Sequence, residues 1–299
     1  MPGWDDILTE IKGDNNPNSL NKIKQKYIEE LSEYTGRNVI VYYSGWLKQA
    51  TENTEINDND MVGFMNAVKD LKCGKGLDLI LHTPGGSPVA AESIVKYLRS
   101  KFDNNIRVIV PHLAMSAGTM IACSAKEIIM GKQSSLGPID PQFLGIPAYN
   151  IKKEFEEAKQ DLSKNATNFA YWRILLDKYP AAYVKRAIDA IDLSDLLLKE
   201  WLGSNMFDAE QDKEIINNIA QKLNEHDSSK AHARHFDIVF CKSIGLKIFE
   251  LEKDNKLQDL VLSIYHAFNH VVAMANVAKI IENNLGKAYI ITNNINQSK

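Results

Sequence analysis

In the first half of the chain, apolar residues gather into short, nearly unbroken runs. NVIVYYS (38–44), DLILHT (78–83), IRVIVP (106–111) and EIIMGK (127–132) read as strands. Between them, DMVGFMNAVKDLK, PVAAESIVKYLRSKF and SAGTMIACSA carry helical spacing. Strands that are apolar throughout and alternate with helices predict a parallel sheet covered on both faces, an α/β fold. Ahead of them, residues 1–20 are polar and Asn-rich and read as partly mobile. NKIKQKYIEELSEYT (21–35) predicts a helix that stops at Gly36.

After Gly137 the strands thin out. Residues 150–166 and 181–202 predict helices, and NEHDSSKAHARH (224–235) a polar loop. Asp237 is placed to cap a short helix over IVFCKSIG. LQDLVLSIYHAFNHVVAMANVAKIIENN (257–284) predicts one long apolar-faced helix or two, followed by a last strand, AYIIT (288–292). The expected organisation is an N-terminal extension and helix (1–35), a catalytic α/β domain (36–203) and a helical C-terminal part (204–299). Ile264, Phe268, Val271 and Val272 of that last part line either the core or an oligomer interface.

Composition narrows the function classes. A net charge of -3 gives no electrostatic reason to expect nucleic acid. No apolar run is long enough to span a membrane, and the N-terminus lacks the basic and apolar regions of a secretory signal. Cys73, Cys123 and Cys241 are odd in number and far apart, as in reduced, packed thiols. A cytoplasmic protein is expected. His266 and His270 have the i, i+4 spacing of a helical metal pair, but no HExxH glutamate and no third ligand accompany them. A packed helix face is the better reading, and neither metal nor cofactor is expected.

Two strand ends carry the candidate chemistry. DLILHT runs into PGGSP, where Gly85 and Gly86 lack Cβ atoms and their amides can approach a ligand. An N–H held there can stabilise an oxyanion. IRVIVP runs into HLAMSAGTM, where Ser116 opens a helix among Ala114, Ala117 and Gly118. PGG alone is an ordinary glycine-rich turn, and SAG alone is tight helix packing. On consecutive parallel strands the two turns meet at one edge, where open α/β sheets bind ligands.

DLILHTPGG, AAESIVKYLR, IRVIVPHLAMSAGTMIACSAKEIIMGKQSSLGPIDPQ and KIIENNLGKAYI together resemble the serine dehydrogenase proteinase family. That family is related to signal peptide peptidase and lies within the ClpP/crotonase superfamily. The resemblance runs from about Tyr42 to about Ile290. It implies a core of repeated ββα-type units with a mainly parallel sheet. It also implies a serine peptidase with Ser116 as nucleophile and the N–H groups of Gly86 and Ala117 as oxyanion hole, beside Gly85. The substrate, a peptide or unfolded protein, would lie extended beside the strand after PGG. The superfamily's habit of assembly implies a homo-oligomer.

The proton acceptor is left open by the sequence. Where Clp proteases carry a histidine, this chain reads PIDPQ, with Asp140. In signal peptide peptidases the base is a lysine in a loop before a helix. Lys178, in DKYPAAYVKRAIDAI, matches that context best, and Lys159, in FEEAKQDL, is second. His232 and His235 are loop candidates. His82 and His112 read as residues that orient the two turns. Two further readings follow from the absent histidine and the shared architecture: a catalytically silent ClpP-like scaffold or binding module, and a crotonase-type thioester enzyme.

Overall fold

The computed structural model describes residues 2–14, 16, 18–48, 51–143, 145–224 and 234–293. Its centre is a seven-stranded sheet: β1 (Asn38–Ser44), β2 (Leu77–His82), β3 (Ile106–Val110), β4 (Glu127–Met130), β5 (Ile248–Glu250), β6 (Val277–Asn283) and β7 (Ala288–Thr292). The order across the sheet is β7-β6-β1-β2-β3-β4-β5. β1 to β5 pair in parallel, and β6 and β7 close one side as an antiparallel pair. This is the mixed, mostly parallel α/β architecture that the alternating pattern predicts.

Helices α1 (Trp4–Gly13), α2 (Ser19–Thr35), α3 (Asp60–Val68), α4 (Pro88–Phe102) and α5 (Ala117–Cys123) precede or interleave the first strands. α6 (Ala148–Lys164), α7 (Phe169–Leu176) and α8 (Tyr183–Trp201) make an excursion from the sheet; α9 (Lys213–Asn224), α10 (Ile238–Ser243) and α11 (Asn255–Met274) follow. One face of the sheet packs its odd-numbered β2 residues, Leu77, Leu79 and Leu81, among α3, α4 and α5. The other packs Ile80, Ile109 and Ile129 against Ile264, Phe268, Val271 and Val272 of α11. Those four residues therefore line the core. Each such buried side chain contributes about 1.5–3 kcal/mol of transfer free energy.

Several expectations are corrected. Residues 4–13, expected to be mobile, form an amphipathic helix that buries Ile7 and Ile11 against α2 and α11. Residues 277–283, expected to continue a helix, are the buried strand β6. The helix stops at Met274, Asn276 turns the chain with φ 22, and the β-branched Val277, Ile280 and Ile281 enter the sheet beside β1. β5, at the far edge, had no strand signal of its own. Asp237 does cap α10, accepting from the Phe240 N–H at 2.8 Å. His270 is buried, with Nε2 3.1 Å from the Trp4 carbonyl, so it serves the packing of α1 on α11.

Above the carboxyl ends of the strands lies a short second layer. Leu113–Ala114 pairs in parallel with Ser135–Leu136, Thr83 bridges Ala114, Leu136 bridges Phe236, and Ile56 bridges Gly86. Both loops singled out from the sequence belong to this layer.

Candidate active site

β2 ends in Thr83-Pro84-Gly85-Gly86. Thr83 donates its N–H to the Leu113 carbonyl (3.0 Å) and accepts from the Met115 N–H (3.0 Å), which ties the loop after β2 to the loop after β3. Thr83 Oγ1 also accepts from the Gly85 N–H at 3.1 Å. Gly85 and Gly86 then turn with φ of +97° and +146°, values that side-chain-bearing residues rarely adopt. A Cβ on Gly85 would lie 2.8 Å from Ser116 Cβ and 3.2 Å from the Ala117 nitrogen. The two loops thus touch, and Gly85 is where they touch.

Gly86 runs beside Ile56, whose N–H donates to the Gly85 carbonyl at 2.7 Å and whose carbonyl accepts from the Ser87 N–H at 2.9 Å. In that parallel bridge the N–H of Gly86 itself points to the side away from Ile56. Ser87 then caps α4, with Oγ accepting from the Ala90 N–H and Pro88 at the first helical position.

Ser116 stands at the N-cap of α5 with φ 50 and ψ -116. A non-glycine residue held there stores about 1–3 kcal/mol of backbone strain. Serine at an N-cap ordinarily spends its hydroxyl on the helix's free N–H groups. Ser116 makes no such bond. The strained strand-to-helix turn leaves Oγ available and places the first helical N–H, that of Ala117, beside it. Gly118 lets α5 sit against β2, since a Cβ there would lie 2.4 Å from Thr83 Cγ2. Thr119 anchors the far side: its Oγ1 lies 2.9 Å from the carbonyls of Ala114 and Gly137 and accepts from the Gly137 N–H at 2.9 Å.

Ser116, Ala117, Gly85 and Gly86 open onto one cleft of about 370 Å³. Apolar side chains of Pro88, Met120, Ile139, Phe143 and Ala190 line it, with Gln142 and Ser194 as neutral polar groups. Met120 lies one helical turn below Ser116, and α8 presents Ala190 and Ser194 on one side of the cleft. Glu55, exposed at the rim, is the one charged side chain among the described lining residues.

The other candidates lie elsewhere. Asp140 is buried between Ile139 and Pro141, which do line the cleft, and it accepts from Gln142 Nε2 at 3.2 Å. Lys178 is exposed in the turn between α7 and α8, and Lys159 is exposed on α6; neither lines the cleft. His235 is exposed, and His232 lies outside the described residues.

His82 and His112 sit behind the loops. The His82 ring is buried among Tyr43, Trp46, Tyr265 and His112, with Nδ1 3.2 Å from the Leu113 carbonyl and 3.3 Å from its nitrogen. His112 Nδ1 meets the Tyr265 hydroxyl at 2.9 Å. Burial, then the charge of His112, lowers the His82 imidazole from 6.5 to about 3. Folded protein keeps this ring neutral, while the unfolded chain binds a proton below its ordinary value. The stability so gained is complete above about pH 6.5 and is lost as the pH falls toward 3, by up to ~1.4 kcal/mol per pH unit. His112 and His266, also lowered by burial, add to the same slope. His82→Phe is expected to flatten it between about pH 6.5 and 4. Urea melts across that range measure this, and an unchanged slope would assign the dependence to other groups.

Among the described residues no group of three or more His, Cys, Asp or Glu side chains is placed to hold a metal ion, and no helix is long and apolar enough to cross a membrane. Residues 53–251 match the family model for ClpP-like SDH-type serine proteinases. The chain belongs to that family. It is also similar to two proteins of Methanocaldococcus jannaschii, both named only as uncharacterized. One, MJ0137, is 35% identical over 176 residues, which cover 54% of this chain and 59% of the relative. The other, MJ1495, is 39% identical over 117 residues, covering 34% of this chain and 39% of the relative. The chain thus spans less than two thirds of the length of these relatives. The matched region of the proteinase family contains both cleft loops, the α6–α8 excursion and β5.

Sequence reasoning missed several contributors to the cleft, among them Ala190 and Ser194 of its wall and Ile56, which lies behind it against Gly86. Ile56 lies in TENTEINDND, which reads as a polar loop and gains its meaning only from pairing with Gly86. Ala190 and Ser194 read as ordinary positions on a helix. Small residues at i and i+4, facing a helix start elsewhere in the chain, are a signal visible only once α5 and α8 are known to pack together.

Proposed function

We propose that the protein is a serine peptidase acting on peptides or unfolded segments. Ser116 Oγ attacks the scissile carbonyl, its proton passes to a base, and the oxyanion is held by the N–H groups of Gly86 and Ala117. The tetrahedral adduct collapses as the C–N bond breaks and the amine leaves with the proton. Water then hydrolyses the acyl-enzyme by the same steps. An extended peptide adds to the free edge of Gly86, opposite Ile56. The observation that carries this reading is the strained Ser116 turn, uncapped by its own hydroxyl, against the Gly85–Gly86 turn. Each oxyanion donor of this kind is worth about 10²–10³ in kcat.

In this reading the base is a lysine brought to the cleft from outside its present lining. Lys178 and Lys159 are carried on the α6–α8 excursion, whose last helix already walls the cleft, and a second copy of the chain is the other source. The test is reaction of the folded protein with a fluorophosphonate probe, with mass mapping of the adduct. Labelling at Ser116, slowed at least tenfold by Lys178→Met or Lys159→Met, is expected. Labelling that depends on protein concentration would assign the base to the second copy.

A catalytically silent scaffold is the second reading, favoured by the want of any lysine or histidine among the described lining residues. Folded protein that takes up no probe and hydrolyses no fluorogenic peptide would establish it.

A further inference from the structure

β6 carries a lysine with no access to solvent. Lys279 Nζ lies 2.6 Å from Asp60 Oδ1 and 2.6 Å from the Glu55 carbonyl, and both charged side chains are fully buried. The other carboxylate oxygen of Asp60 accepts from the Tyr42 hydroxyl (2.8 Å) and from the Asn57 N–H (3.1 Å). One step earlier, Ser44 Oγ donates to the Thr54 carbonyl at 2.7 Å. Three side chains, one each from β1, α3 and β6, therefore bond the backbone of residues 54–57, and Tyr42 supports one of them, Asp60.

Of that backbone, Thr54 ends a three-residue 3-10 turn, Glu52–Thr54, and residues 55–57 belong to no helix or strand. Its opposite edge is Ile56, paired with the Gly85 carbonyl and the Ser87 N–H. The approach is as close as two backbones come: a Cβ on Gly86 would meet the Ile56 oxygen at 2.4 Å and its nitrogen at 2.5 Å.

A buried ion pair is a poor source of stability, because removing each charge from water costs several kcal/mol and an apolar pair of similar volume does as well or better. What it supplies is fixed geometry. Lys279 reaches a carbonyl and a carboxylate together, and no apolar residue does that.

We propose that Lys279 and Asp60 are positioning residues: they fix Glu55–Asn57, and through Ile56 they set the orientation of the Gly86 N–H. This rests on the reading of that N–H as an oxyanion donor. A strand near the far end of the sequence then adjusts a site it does not touch.

The test is the double variant Lys279→Met/Asp60→Asn, which removes both charges and leaves no unpaired one, compared with the unaltered chain in two measurements. Amide hydrogen exchange reads the placement without any reaction. The Ile56 and Ser87 N–H groups are expected to exchange at least tenfold faster, while Leu79 in β2 and Ile109 in β3 stay protected. Fluorophosphonate labelling and peptide turnover read the consequence: labelling and kcat fall at least tenfold, and KM stays within twofold. Tyr42→Phe, which takes one hydrogen bond from Asp60 and keeps the ion pair, gives a smaller rise at the same two amides and carries the comparison if the double variant does not fold. Unchanged exchange at Ile56 and Ser87 would overturn the proposal, as would faster exchange spread equally over β2 and β3, or faster local exchange with labelling and kcat unaltered. If the unaltered chain neither labels nor hydrolyses peptide, the peptidase reading fails, and the exchange comparison still decides whether the pair fixes the segment.

Discussion

Replacing Ser116 by alanine is expected to abolish fluorophosphonate labelling and to lower peptide hydrolysis by about 10³-fold or more, with the fold intact. Oγ makes no cap, so its removal leaves no backbone donor of α5 without a partner it had before. A second substitution at the same position separates chemistry from strain. With φ 50 and ψ -116, this residue occupies a conformation that glycine adopts freely and serine does not. Ser116→Gly should therefore be equally inactive yet more stable than the parent, by about 1 kcal/mol once glycine's extra freedom in the unfolded chain is offset. Urea melts beside labelling gels check both parts. Unchanged labelling of Ser116→Ala would remove this residue from the reaction. A loss of stability in Ser116→Gly would mean the turn is not strained.

Gly86→Ala should be strongly damaging for the addition of a single methyl. Its Cβ would enter the backbone of Ile56, and φ +146 is closed to alanine as well. Neither obstacle yields, because Ile56 is held from behind and Gly85 is pressed on Ser116. A loss of about 2–4 kcal/mol is expected, together with at least about a hundredfold loss of turnover in whatever protein still folds. Gly36→Ala is the control. It too has positive φ, 67, at the C-cap of α2, but its missing Cβ faces open space. It should cost only about 1 kcal/mol and leave turnover unchanged. Equal costs at the two sites would mean that the approach of Ile56 to Gly86 is not a constraint.

The backbone turns at these two positions were legible in the sequence, and for the same physical reason. A backbone that must turn with positive φ or admit another backbone needs glycine or a small residue, and such residues are visible singly. β1 was legible in full because five consecutive apolar, β-prone residues, Val39 to Tyr43, lie between the helix-stopping Gly36 and the break at Gly45. β6 was not. VAKIIEN follows a helix with no glycine or proline between them and mixes Ala, Lys and Glu with its β-branched residues, so spacing alone does not tell strand from helix. Its charged residues make sense only in the folded chain, where Lys279 meets Asp60 and Glu282 meets Lys24 inside the core. Lys178 shows the converse. A lysine shortly before a helix was readable, although that helix starts at Tyr183 and not at Pro180, and the distance of Lys178 from Ser116 is set by how α6, α7 and α8 pack on one another. Of these, α6 and α8 share a small cluster of their own, Ala148, Ile151, Tyr183 and Ala187.

The position of β6 in the sheet has a consequence for synthesis. β1 is among the first strands to leave the ribosome, yet its antiparallel neighbour is made after residue 276. Until then one edge of β1 is open, α11 has just emerged to cover its face, and the Glu55–Asn57 segment lacks its lysine. At translation speeds of about 5–20 residues per second, that interval is on the order of ten seconds or more. During it a nascent chain can hold Ser116 and both glycines and still lack a shaped cleft. The proposed cutting activity would thus switch on late, with the arrival of a strand that contributes no atom to the reaction.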